Sequence, residues 1–141
     1  MAVSEGKARE LLYAAHAAWN SRDIDALLDL YVDDLTYYSN YGDPHGGPFS
    51  LAGKAALRSY VTPIAQLECL SVPERFTFRN GRGYATAEFY MRHRISGLMH
   101  AGAFRQIVSY RDNKILRLEE YHDAPALAAF WAMVSATTDL P

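Results

Sequence analysis

Between Tyr84 and Asp123 the chain places acidic, basic and phenolic side chains inside segments that otherwise read as the wall of a small core. The first segment carries Glu88, Tyr90 and Arg92, the second His100, and the third ends in Glu120. Polar groups in such a wall need partners, and a cavity open to a ligand provides them. Along the third segment Leu116, Leu118, Glu120 and His122 share one face by strict alternation. Glu120 thus closes an apolar row. A carboxyl so placed is expected to have a raised pKa, which suits general acid–base work near neutrality. A strand-end acid paired with an arginine is the structural alternative. His100 shares a face with Gly102, Phe104 and Gln106, where an imidazole can shuttle a proton or orient a carbonyl; a solvated hairpin histidine fits the same pattern.

The segment around Glu88 has two readings. Bare hydrophobicity puts Ala85, Ala87, Phe89 and Met91 inside and leaves Glu88 and Tyr90 in water. The opposite assignment puts Glu88 and Tyr90 in the cavity. It leaves the apolar row for a second surface, the expected interface of a homodimer formed through the outer sheet face. If Glu88 and Glu120 share a cavity, their repulsion keeps a proton on one of them.

Elements of two kinds must position these groups. Apolar residues at helical spacing predict helices over Glu5 to Trp19, Ile24 to Tyr31 and Gly53 to Ile64, the last read securely to Tyr60. A short aromatic strand covers Leu35 to Ser39, and a breaker-rich loop from Tyr41 to Pro48 is placed to cover a cavity mouth. The period then changes. Strands are expected over Arg75 to Arg79, Gly83 to Ile95, Leu98 to Tyr110 and Ile115 to His122, with turns at Asn80-Gly81, Ser96-Gly97 and Arg111 to Lys114. Asp123 caps a last helix from Ala124 to Val134. The expected fold is a single α+β domain with helices against one face of a bent antiparallel sheet.

The same order of elements, with the patterns AAWNSRDIDALLDLYVDDLTYYS (Ala17 to Ser39), LAGKAALRSY (Leu51 to Tyr60) and SYRDNKILRLEEYHD (Ser109 to Asp123), resembles the SnoaL-like branch of the nuclear transport factor 2-like superfamily. That branch includes polyketide cyclases, ketosteroid isomerases and limonene epoxide hydrolases. The resemblance implies a cone-shaped fold with an apolar pocket between the helices and the concave sheet face, and it favours Glu88 and Tyr90 inside. Its reaction types transfer unevenly. The isomerases' base and oxyanion donor fall at Ser39 and Ala15, so neither survives. The epoxide hydrolases' site falls at Tyr90, Glu88 and Glu120 with Tyr37 and Ser39, and loses its arginine. The single acid of the cyclases falls at Glu120.

The resemblance therefore implies cofactor-independent acid–base conversion, cyclase-like or isomerase-like, of a small hydrophobic cyclic molecule. Glu120, Glu88, Tyr90 and His100 would be its catalytic groups, and Trp19, Tyr37, Ser39, Tyr60, Phe104 and Leu118 its binding surface. A binding or assembly domain of the same fold is the other reading, since a fold does not fix a function. His16 reads as a packing histidine.

Composition narrows the partners. The net charge is −2 and no Lys/Arg-rich block occurs, which argues against nucleic acid and membrane surfaces. No run reaches the ~20 apolar residues of a membrane span, and the N-terminus lacks a signal-peptide core, so a cytoplasmic location is expected. Cys69 stands alone and reads as packing, and no HxH or HExxH occurs. No cofactor or metal is expected.

Overall fold

A computed structural model describes residues 2–41 and 46–138. His45 and much of the loop expected to cover the cavity mouth lie outside the described residues. The elements in chain order are α1 (Glu5–Asn20), α2 (Ile24–Asp29), β1 (Tyr31–Ser39), β2 (Phe49–Ala52), α3 (Lys54–Ile64), β3 (Glu68–Arg79), β4 (Arg82–Arg92), β5 (Met99–Arg111), β6 (Lys114–Tyr121) and α4 (Ala124–Thr138). This is the expected α+β class. The six strands form one sheet in the order β2-β1-β6-β5-β4-β3.

Local chemistry explains most boundaries. Ser4 caps α1 by accepting from Lys7 N–H, and Asp23 caps α2 by accepting from Ala26 N–H. The β3–β4 turn places Asn80 and Gly81 at φ 52° and 74°, and the β5–β6 turn places Asp112 and Asn113 at 53° and 57°. Two successive positive φ angles are the hairpin geometry for which Asn, Asp and Gly are suited. Pro73 is tolerated because β3 is an edge strand.

Three expectations change. β1 and β6 pair in parallel, so the sheet is antiparallel only elsewhere. The chain leaves β1 through β2 and α3, builds the far edge, and returns beside β1 from the other side. β3 begins at Glu68 rather than Arg75, and a short strand, β2, follows the breaker loop where none was expected. In β6 a register shift opposite Ser109/Tyr110 turns Ile115 inward, fully buried, in place of Leu116.

The inner face of the sheet is settled by burial. On β4 Ala85, Ala87 and Met91 are buried, while Glu88 is exposed. Hydrophobic alternation was therefore the correct guide here, and the inward assignment of Glu88 is overturned. One apolar cluster joins α1, α2 and α3 to β1, β4, β5 and β6. A second joins α4 to Leu67, Cys69 and Met91, and Trp19 packs against both. Between these clusters lies the cavity.

Candidate functional site

The cavity is about 180 Å³ and mostly apolar. Trp19 enters it from α1, Tyr37 from β1, Tyr60 from α3, Phe104 from β5 and Leu118 from β6. Tyr37 and Tyr60 stand with ring centroids 5.5 Å apart. All five were expected there from the sequence. A dry engineered cavity of about 150 Å³ holds benzene, so this one has room for a compact ring compound.

Glu120 brings charge to this apolar space; its side chain is only 15% exposed. Three donors converge on it. Tyr37 Oη donates to Oε1 at 2.7 Å, Gln106 Nε2 donates to Oε2 at 2.9 Å, and His122 Nε2 lies 3.3 Å from Oε1. Strand register makes this arrangement. Gln106 stands directly opposite Glu120 in the β5–β6 ladder, while Ser39 stands beside Glu120 in the β1–β6 ladder. Tyr37, two residues before Ser39, therefore leans over from the same face.

The network continues into α1. His16 is buried, with Nε2 2.7 Å from Gln106 Oε1 and Nδ1 2.7 Å from Ser71 Oγ. An ionised Glu120 fixes the direction of the links as far as His16. Gln106 must present its NH₂ to the carboxylate, so its carbonyl faces His16. His16 then donates from Nε2, and its bare Nδ1 accepts from the Ser71 hydroxyl. Burial, the largest influence, lowers the His16 pKa, against smaller raising effects from Gln106 and Glu120. Burial thus favours the neutral ring, in which Nδ1 is bare and accepts from Ser71.

Glu120 departs from expectation. Burial is the largest single influence and pushes its pKa up, but the hydrogen bond and charge of His122, with the donors Tyr37 and Gln106, outweigh it. The carboxyl is held below its ordinary value of 4.5. It is an ionised base at neutral pH and not the proton-bearing acid that an apolar row alone suggested. Tyr37 is raised well above its ordinary value, by burial first and then by Glu120, and stays a donor. A carboxylate offers about four acceptor positions; three are taken, which leaves one for a proton or hydroxyl of a ligand.

The other expected site residues take no part in the hydrogen bonds to Glu120. Glu88 points outward and cannot share a proton with Glu120. Tyr90 follows it on the outer row by alternation; it reaches the cavity boundary beside Leu70, its cross-strand partner, but is not among the donors to Glu120. Ser39 is fully buried, with its hydroxyl donating to Tyr41 O at 2.6 Å. His100 borders a second, smaller cavity. Cys69 borders the main cavity, but burial above all raises its thiol pKa, so it is a neutral packing group. Conversely, three members of the network were not singled out as site residues: His16, Gln106 and His122. The available signal was the shared inner face of Phe104 and Gln106 and of Leu118, Glu120 and His122. Nothing local in the sequence links His16 to them. Among the described residues, no group of three or more His, Cys, Asp or Glu is placed to hold a metal ion, and no helix is long and apolar enough to cross a membrane.

The network makes acid stability a direct test. His16 has a folded pKa below its ordinary 6.5, so under mild acid the unfolded chain binds more protons. Glu120, with a folded pKa below 4.5, acts in the same sense at lower pH. Stability rises with pH wherever the unfolded state binds more protons. The His16 contribution is thus lost as pH falls below about 6.5, and that of Glu120 as pH falls below about 4.5. Urea midpoints should fall between about pH 7 and pH 5 in the wild type, and less in His16→Gln. Equal slopes for the two proteins would contradict a buried neutral His16.

The SnoaL-like domain model matches residues 12–118, most of the chain, and stops just before Glu120, His122 and α4. The chain belongs to the SnoaL-like family. Solved structures share its fold. TerC, co-crystallised with polyporic acid, aligns with a TM-score of 0.78 at 20% identity over 88% of this chain and 97% of its own. A candidate isomerase from Bacillus subtilis aligns with a TM-score of 0.79 at 19% identity, over 90% and 94%. RV0760c from Mycobacterium tuberculosis, in complex with estradiol-17beta-hemisuccinate, aligns with a TM-score of 0.74 at 14% identity, over 85% and 96%. No curated protein matches the chain by sequence.

Proposed function

We propose that this SnoaL-like protein performs cofactor-independent acid–base chemistry, isomerase-like or cyclase-like, on a small hydrophobic ring compound. The observation that carries this reading is Glu120: an ionised carboxylate set in an apolar cavity and aimed by three donors from three strand positions. Burying a charge is costly unless it is compensated, and a purely packed core has no use for the expense. In the cavity Glu120 takes a proton from an activated carbon or hydroxyl of the ligand. Tyr37, held neutral, stabilises the carboxylate and remains close to the charge that develops on the substrate. Apolar walls supply binding and the polar row supplies orientation.

Aromatic and steroid-like compounds are the first to screen, because TerC was crystallised with polyporic acid and RV0760c with a steroid ester. The cavity volume favours the smaller ring systems among them. Thermal-shift screening across single-ring, fused-ring and steroid compounds, with nucleotides as controls, tests the reading, followed by chromatography of each stabilising compound for conversion. Stabilisation by nucleotides alone would refute the cavity assignment. Stabilisation by ring compounds with no conversion of any would favour the second reading, a binding domain that holds its ligand unchanged.

A homodimer through the outer sheet face belongs to the same proposal, on different residues from those first expected. Ala85, Ala87, Phe89 and Met91 face inward, and the exposed large apolar residues include Leu70 (43%) and Val72 (57%) on β3 and Met99 (61%) on β5. Leu70 stands across from Tyr90, and Tyr90 from Ala101, so the patch runs over three strands. Stable monomers limit such surfaces. Sedimentation should give twice the 15.8 kDa chain mass, and Val72→Glu should shift the population to monomer. A wild type that sediments as a monomer at micromolar concentration rejects the interface.

A further inference from the structure

A second cavity of about 160 Å³ adjoins the first, bordered by β5 and the start of α4. Phe89, Leu127 and His122 border both spaces. Two of these three walls are hydrocarbon and cannot pass a proton. The third is an imidazole. On one side its Nε2 lies 3.3 Å from Glu120 Oε1, while its Nδ1 is buried without a hydrogen-bond partner. The ring is stacked on Phe104, with centroids 4.7 Å apart and planes at 18°, and meets Phe89 edge-on. Its plane is thereby held, with Nε2 turned to Glu120 and Nδ1 buried on the opposite side of the ring. A buried polar atom without a partner is costly. The polar groups that share the second cavity with His122 are His100 and Asp123.

We infer that His122 is the proton conduit between Glu120 and the second cavity, and that His100 is the group at which that conduit exchanges with solvent. This rests on the reading of Glu120 as the base. The transfer balances in both directions. In the state with Glu120 ionised and His122 neutral, the imidazole proton sits on Nε2 and Nδ1 is bare. A proton delivered to Nδ1 from the second cavity allows the Nε2 proton to pass to Oε1. The result is a protonated Glu120 donating to bare Nε2, with the new proton on Nδ1. Loss of the Nδ1 proton to the second cavity reverses both moves. The ring does not rotate, and no charge is left behind. Glu120 is recharged or discharged while the main cavity stays closed around its ligand.

The groups around this path suit it. His122 faces Glu120 on its own strand, the donors Tyr37 from β1 and Gln106 from β5, His100 farther along β5, and Asp123 at the cap of α4. Burial, the largest influence, lowers the His100 pKa; His122 also lowers it, and Asp123 opposes both. His100 is therefore neutral and able to accept a proton at neutral pH. Its ring packs between Phe89 and Phe130 with centroids at 5.4 and 5.8 Å, which fixes it at the border of the second cavity.

The test uses the ligand-free protein and ring-nitrogen NMR of His122. In wild type the Nε2 proton should exchange rapidly with water. In His100→Gln it should exchange about tenfold more slowly, the scale on which one acid–base group acts, and its signal should sharpen. Millimolar imidazole, small enough to enter the second cavity, should restore the rate. Ala126→Leu narrows the second cavity and keeps both histidines, and should slow exchange without rescue by imidazole. Unchanged exchange in His100→Gln, slowing that imidazole does not reverse, or unchanged exchange in Ala126→Leu would each overturn the inference. Exchange is read without substrate, so a protein that converts no compound can still show the conduit. A Glu120-dependent conversion can likewise survive a failed exchange test.

Discussion

Glu120→Gln should lose conversion of whatever ring compound the cavity accepts, by about 10²-fold or more, while still binding it. The amide has nearly the same volume as the carboxylate, so the apolar walls that provide affinity are unchanged. It cannot take a proton from carbon or hydroxyl, so the step that needs a base fails. The replacement also tests the polarity of the network. Gln106 donates to Oε2 at 2.9 Å and accepts from His16 through its carbonyl. A new NH₂ on residue 120 either meets the NH₂ of Gln106 or turns toward Tyr37 and His122, and one link is lost in each arrangement. Thermal denaturation should therefore show a modest loss of stability beside the large loss in rate. Binding measured by ligand-induced thermal shift should stay within a few-fold of wild type. Full turnover in the variant would remove Glu120 from the mechanism, and lost binding would make it a ligand-holding group instead.

Leu57→Ala should lose stability and widen the cavity. Leu57 is 2% exposed, lies on α3 and packs in the main cluster while bordering the cavity. Large-to-small changes in a core cost about 2–5 kcal/mol, with the spread set by the void left behind. Part of the Leu57 surface already faces empty space, so fewer contacts are forfeited and the lower half of that range is expected. The removed atoms add to the cavity. The urea midpoint should fall, and the set of stabilising compounds should shift toward bulkier ring systems. If the size preference stays fixed while stability drops, the cavity is not where the ligand sits.

The contrast between Glu88 and Glu120 shows how sequence and fold divide the information. Alternation on β4 was imperfect, with Ala85, Ala87, Phe89 and Met91 on one face and Tyr84, Thr86, Glu88 and Tyr90 on the other. The burial of the apolar face follows from transfer free energy alone. Reading the row by resemblance moved Glu88 inward, against that local signal, and burial returned it to solvent. On β6 alternation placed Leu118, Glu120 and His122 on one face correctly. It failed at Leu116 only because a bulge inserts a residue, and a bulge in one strand depends on pairing with another.

Local pattern thus determined the helices, the hairpin turns at Asn80-Gly81 and Asp112-Asn113, the aromatic walls and the presence of an acid at the end of an apolar row. These depend on neighbours a few residues away, and the side-chain types carry them. Only the tertiary structure decided the parallel β1–β6 pairing, and with it the approach of Tyr37 to Glu120 across 83 residues. It also decided the contact of His16 with Gln106 across 90 residues and with Ser71 across 55. The pKa of Glu120 belongs to that second class. An apolar row predicts a carboxyl pushed toward its neutral form, because burial disfavours charge. The observed direction is the reverse, because His122, two residues on, Gln106 on the neighbouring strand and Tyr37, 83 residues away, reach the same two oxygens. The sequence could place the acid beside His122, but the donors Tyr37 and Gln106 come within hydrogen-bond distance of it only on folding.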